Sequence, residues 1–173
     1  MSTLERLREL IAAEGEPLAG GLLAQVPAGA EPTLGALAAA GPRAHADPGE
    51  YELLIEAIYE GYLLHYGDSR LLSGADADLA LLAGDRLYTI GLERLVALGD
   101  LDAVRELADV IALCALLVGR GDQASCDPLW RAGVHAVGWG APQSYRAAKA
   151  LARSGDARAG AALRALAAPP GLA

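Results

Sequence analysis

The dipeptide Gly–Asp recurs at 67–68, 84–85, 99–100, 121–122 and 155–156, and it restricts the chain more than any other feature. Glycine can end a helix in the left-handed backbone conformation, and the aspartate after it can open the next helix by accepting its free N–H groups. Between these marks, apolar residues return every three or four positions, so the chain reads as helix after helix. The separations of 17, 15, 22 and 34 residues share no period, which argues for one packed bundle rather than a repeat array.

Ser2–Thr3–Leu4–Glu5 fits a capping box, and Leu4, Leu7, Leu10 and Ile11 then form an apolar stripe, predicting a helix over 3–14. Residues 15–49 hold Pro17, Pro27, Pro32, Pro42 and Pro48, a density that allows only short helices, at 18–25 and 33–40. Asp47–Pro48 reads as a cap followed by proline in the first turn of a long helix through Tyr66. Further helices are expected over 75–98, with Leu79, Leu82, Leu87, Ile90, Leu95 and Leu98 facing inward, and from Asp100 to Val118. Three more follow, at 128–138, 142–153 and 157–167, before a flexible tail at 168–173. No run alternates with period two. The expected fold is all-α, a single-domain helical bundle over residues 1–173.

Composition limits the function. Hydrophobic residues make up 53% and charged ones 21%, the balance of a packed domain rather than a disordered chain. With no Phe, the core must be filled mainly by Leu, Ala, Val and Ile. A formal net charge of −8 repels a phosphate backbone, and no basic stripe reverses it locally, so nucleic acid is not an expected partner. The start MSTLERLREL lacks the basic and apolar blocks of a secretory leader, which predicts a cytoplasmic protein. The most apolar window, LADVIALCALLVG at 107–119, is too short to cross a bilayer.

Searches for reactive groups return little. Neither GEPLAGG nor GVHAVGWG has the spacing of a phosphate-cradling loop, and Lys149 is the chain's single lysine. No serine sits in a Gly-x-Ser-x-Gly elbow. Cys114 and Cys126 are twelve apart, outside any zinc or disulfide framework; Cys114 reads as a small core residue and Cys126 as preceding a helix start at Asp127–Pro128. Glu52, Glu56 and Glu60 recur every four residues; without a Glu-x-x-His pair they read as a solvated or arginine-paired face. His45 is expected in a loop, His135 at the edge of the core, and Trp130 and Trp139 as core or interface anchors. No catalytic residue, metal ligand or cofactor is assigned.

One stretch raises a sharper question. Residues 62–72, YLLHYGDSRLL, and residues 78–115, with Leu81, Leu82, Gly84, Asp85 and Leu87 in the pattern Leu-Leu-x-Gly-Asp-x-Leu, resemble the trans-polyprenyl diphosphate synthases over about residues 50–118. That family holds magnesium and a diphosphate between two aspartate-rich clusters. Here Tyr66–Gly67 stand where the first cluster would have Asp–Asp, leaving Asp68 alone, and Asp122, Asp127 and Asp156 are isolated downstream. One carboxylate does not hold a hydrated magnesium against a diphosphate.

The chain is therefore more similar to the non-catalytic small subunits of two-component synthases, of the heptaprenyl diphosphate synthase component 1 type. That resemblance implies a truncated isoprenoid-synthase-like bundle, pairing with a catalytic prenyl synthase subunit or with itself and influencing product length or activity. The candidate groove or interface consists of Tyr62, His65, Tyr66, Asp68, Arg70 and Asp85. Two other readings stand beside this one: a helical interaction or scaffold protein with no prenyl link, and an enzyme, either a degenerate prenyltransferase using lone aspartates or an unrecognised activity around His65, Asp68 and Arg70.

Overall fold

The computed structural model describes residues 1–16, 18–30, 34–73 and 77–167; Pro17, Pro32 and the expected tail at 168–173 lie outside them. Within the described residues the chain forms eight α-helices and no sheet. These are α1 (Thr3–Ala13), α2 (Gly35–Ala39), α3 (Pro48–Tyr66), α4 (Ala77–Ala97), α5 (Leu101–Gly119), α6 (Cys126–Trp139), α7 (Gln143–Ser154) and α8 (Ala159–Ala167), with 3-10 turns at Leu18–Gly21, Pro42–Ala44 and Gln123–Ser125. The all-α reading holds.

Local chemistry sets most helix ends. Ser2 and Glu5 complete the capping box of α1, Asp47 caps α3 through the Glu50 amide, and Asp100 caps α5 through the Ala103 amide. Gly99, Gly121 and Gly155 adopt φ of 77°, 79° and 73°, as the Gly–Asp rule predicts. Asp122 makes no side-chain cap bond, and two of the five pairs depart at the glycine itself. Gly67 ends α3 in an extended conformation, φ −145°, and Gly84–Asp85 lies inside α4.

α3 is the central helix. Leu54, Ile55, Ile58 and Tyr62 enter the larger core with Leu107 and Val110 of α5 and Trp130 and Val134 of α6. Leu53 and Ala57 enter a second core with Leu4, Leu7 and Ile11 of α1 and Leu87 and Ile90 of α4. A helix with core on both sides shows little amphipathic contrast, because nearly every direction meets protein.

α4 departs from the expected register. Leu87, Ile90 and Leu95 are buried as predicted, but Leu79 is half-buried and Leu82 and Leu98 are 62% and 40% exposed. The face that meets α3 is instead marked by Ala83, Gly84 and Gly91. At Gly61 an added Cβ would stand 2.8 Å from the Gly84 carbonyl oxygen, and at Gly91 it would stand 2.2 Å from Ile58 Cγ1. Backbone approaches backbone here, so the smallest residues define the contact and the leucines turn outward.

Gly91→Ala should lower unfolding stability by about 1–3 kcal/mol through overpacking. Gly119→Ala, at the end of α5 where an added Cβ meets nothing within 4 Å, should leave stability unchanged or raise it by up to about 1 kcal/mol. Urea titrations of the two variants beside the parent test the contrast.

Candidate functional site

The stretch 62–72 is the end of α3 and the turn that follows it. After Gly67 the chain folds back so that Arg70 reaches two carboxylates one helical turn apart. Arg70 Nη1 donates to Glu56 Oε2 at 2.6 Å, and Nε donates to Glu60 Oε2 at 2.8 Å. Glu60 Oε1 also accepts from Ser69 Oγ at 2.5 Å and from the amides of Arg70 and Leu71 at 2.7 and 3.2 Å. Glu56 Oε1 accepts from the amides of Leu34 and Gly35 at 3.0 and 2.7 Å.

Both carboxylates are fully buried. Burial alone would lower the Arg70 pKa, but Glu56 and Glu60 outweigh it and raise that pKa above its ordinary value. Of the acidic stripe on α3, the arginine-paired reading therefore applies to Glu56 and Glu60, and the solvated reading does not. Glu52 accepts from Thr3 Oγ1 at 2.8 Å. The turn is tied down further by Leu23 N to Leu71 O at 2.8 Å and Ser73 N to Gly21 O at 2.9 Å.

The other members of the expected groove divide. Tyr62 is buried, stacked on Tyr59 with centroids 5.7 Å apart and lying 5.4 Å from Trp130. Tyr66 is half-buried, 5.5 Å from Tyr62. His65 stacks on Tyr88 at 5.3 Å and 7°, and its Nε2 lies 3.1 Å from Asp85 Oδ1 without forming a hydrogen bond. Asp68 is exposed, and none of the hydrogen bonds or ion pairs among the described residues uses it. His65 and Asp85 thus meet, Tyr62 and Tyr66 close an aromatic seam, and Arg70 serves the fold.

Sequence reasoning missed Tyr59, Tyr88 and Trp130 as members of this seam. The i, i+3 spacing of Tyr59 and Tyr62 on α3 was the available signal. Tyr88 Oη, Trp130 Nε1 and Arg70 Nη2 are buried there without a hydrogen-bond partner among the described residues. Near them, Cys114 and Cys126 are both buried, with Cys126 Sγ donating to the Cys114 carbonyl oxygen at 3.8 Å; the neighbouring Cys126 thiol, then desolvation, raises the Cys114 pKa. Among the described residues no group of three or more His, Cys, Asp or Glu side chains is placed to hold a metal ion. No helix of the described residues is long and apolar enough to cross a membrane.

A second polar assembly lies between α5 and α7, which the sequence did not mark. Lys149 Nζ donates to both oxygens of Glu106, at 2.8 and 2.9 Å, and stands 2.9 Å from Asp109 Oδ2. Tyr145 Oη donates to Glu106 Oε1 at 2.5 Å, and Arg153 pairs with Asp109. Burial raises the Asp109 pKa, but hydrogen bonds from Lys149 and Arg153 overcome it and hold the carboxyl below its ordinary value. This assembly forms one wall of an open cleft of about 1110 Å³.

No family model, curated protein or solved structure matches the chain.

Arg70→Met should cost about 3–5 kcal/mol of unfolding stability, because it leaves two buried carboxylates unpaired. Asp68→Ala should change stability by no more than about 0.5 kcal/mol; thermal melts of both variants read the difference. The Asp109 carboxyl contributes stability above its unfolded pKa, about 3.9, and that contribution is lost as pH falls through its lower folded value. The gap in unfolding midpoint between the parent and Asp109→Asn should therefore be constant from pH 7 to about pH 5 and should shrink below about pH 4.

Proposed function

We propose that this protein is a catalytically silent helical subunit or adaptor that works by attaching to another protein. The observation that carries this reading is the outward face of α4. Leu81, Leu82 and Val96 are 46%, 62% and 53% exposed there, and Leu98 and Leu101 continue the apolar surface around the turn into α5. Positions 82, 89 and 96 repeat every seven residues and run down one side of the helix. Exposed leucines grouped in this way are a more informative feature than scattered ones.

The polar groups of the 62–72 stretch support the silent part of the proposal. Arg70 is committed to Glu56 and Glu60, and His65 is seated between Tyr88 and Asp85. A general acid or base must reach a substrate proton, and a metal clamp must leave ligands free. Asp68 is exposed but stands alone, and one carboxylate does not clamp a metal against a diphosphate.

The partner we propose is a catalytic prenyl diphosphate synthase subunit. Its support is the resemblance over residues 50–118, which includes the exposed Leu81 and Leu82 on α4 and lacks the paired aspartates that the catalytic family uses. The small subunit would then bias product length through contact rather than through chemistry.

Co-expression with a catalytic prenyl synthase from the same cell should yield a complex that survives gel filtration, with a shifted product chain length. Leu82→Glu together with Val96→Glu should weaken the complex at least about tenfold while leaving the melting temperature of the isolated chain unchanged. Failure to associate, with products unaltered, removes the prenyl synthase assignment. A stable complex with an unrelated protein, sensitive to the same two substitutions, would keep the adaptor and replace its partner.

A further inference from the structure

The cleft between α5 and α7 is a distinct feature, and its argument does not depend on docking at α4. Where those helices meet the α6–α7 turn, small residues, Ala103, Ala112, Ala136 and Ala141 among them, line the cleft between longer charged side chains and Trp139. The volume, about 1110 Å³, is slightly above the usual range of small-molecule sites, roughly 300–1,000 Å³.

Its charges are unevenly satisfied. Glu106 and Asp109 are neutralised by Lys149 and Arg153. Arg43 is anchored by Val137 O at 3.1 Å and by Asp100 at 3.3 Å. Arg105 has only Asp102, three residues before it on α5, with both side chains about three-quarters exposed, and such a pair holds weakly. The Arg146 side chain has no ion pair or hydrogen bond among the described residues, yet it lines the same cleft. Asp102, which also lines the cleft, balances Arg105, so the charge left without a partner among the described residues is that of Arg146, positive in a chain whose net charge is −8.

The lip of the cleft is Trp139. Its ring is 50% exposed and is held by stacking on His135, centroids 5.7 Å apart and planes 12° from parallel. Trp130, the chain's other tryptophan, is fully buried. A large flat ring fixed by its neighbour and open to solvent offers a stacking surface at little entropic cost.

We propose that this cleft binds a small organic anion carrying a flat ring, an aromatic carboxylate or phosphate monoester, with the ring on Trp139 and the anionic group taken by Arg146 and Arg105. Arginine presents a planar fork of donors that matches both kinds of oxyanion. The Lys149–Glu106–Asp109 assembly is the rigid wall that keeps α5 and α7 in place, not a ligand contact.

The test uses phenyl phosphate and benzoate as probes, with inorganic phosphate as the anion without a ring and benzyl alcohol as the ring without charge. Binding is measured by ligand-observed NMR and by calorimetry, since removing Trp139 also removes its fluorescence. At least one of the two ring-bearing anions should saturate the full chain in the millimolar range or tighter, at least about tenfold more tightly than either control. Trp139→Ala and Arg146→Ala, both at exposed side chains, should each weaken that binding at least about tenfold with the melting temperature unchanged. Absence of saturable binding by both ring-bearing anions, or binding that survives in the Trp139→Ala, Arg146→Ala double variant, overturns the proposal.

Discussion

Everything else in this molecule is arranged around the buried grip of Arg70 on Glu56 and Glu60. Two carboxylates on the central helix cannot stay ionised inside protein unless they are paired and hydrogen-bonded. Their oxygens are accordingly distributed among one guanidinium, one hydroxyl and four backbone amides. Through these bonds α3 holds the start of α2 on one side and the 69–71 turn on the other. A buried ion group of this kind is weak evidence of added stability compared with apolar packing, but its directional bonds specify which segments meet. The bundle has few large aromatics to do that work through shape, so polar geometry takes part of the task.

The glycine contacts between α3 and α4 complement it. Where Gly61 and Gly84 bring the backbones together, the rings of His65 and Tyr88 press on the same contact, and the helices seat at one register. That choice has an outward consequence. With the inner face of α4 occupied by small residues, several of its leucines are left on the surface, and it is this displaced apolar area that supports a docking role. The interior of the bundle and its candidate interface are thus two sides of a single packing decision.

How much of this could be read from the chain follows from the range of the forces involved. Helix ends were legible because caps act over three or four residues: Ser2, Asp47 and Asp100 all do what their local sequence predicts. The register of α4 was misread, since leucines attract attention and glycines do not, although Gly84 and Gly91 mark the buried side. Gly84–Asp85 fell inside the helix expected over 75–98, but the reason for that glycine was not legible, because the His65 ring 2.5 Å from where a Cβ would stand belongs to another helix. Arg70 was placed in a groove when it belongs to the interior, because its partners are 10 and 14 positions back and nothing local reveals the turn that returns it. The cleft beside Trp139 was illegible for a simpler reason. It is edged by small residues on α5, on α6 and in the turn before α7 at once, and each alanine taken singly looks like ordinary sequence.

The bond from Glu56 to α2 carries a kinetic implication. A five-residue helix has no independent stability in water, so its first amides stay hydrogen-bonded only while a carboxylate from the central helix reaches them. Solvent protons can therefore replace those at Leu34 and Gly35 only when α3 itself lets go. The slowest-exchanging positions in the molecule should include a loop edge and a miniature helix that by length alone would be ranked among the most labile.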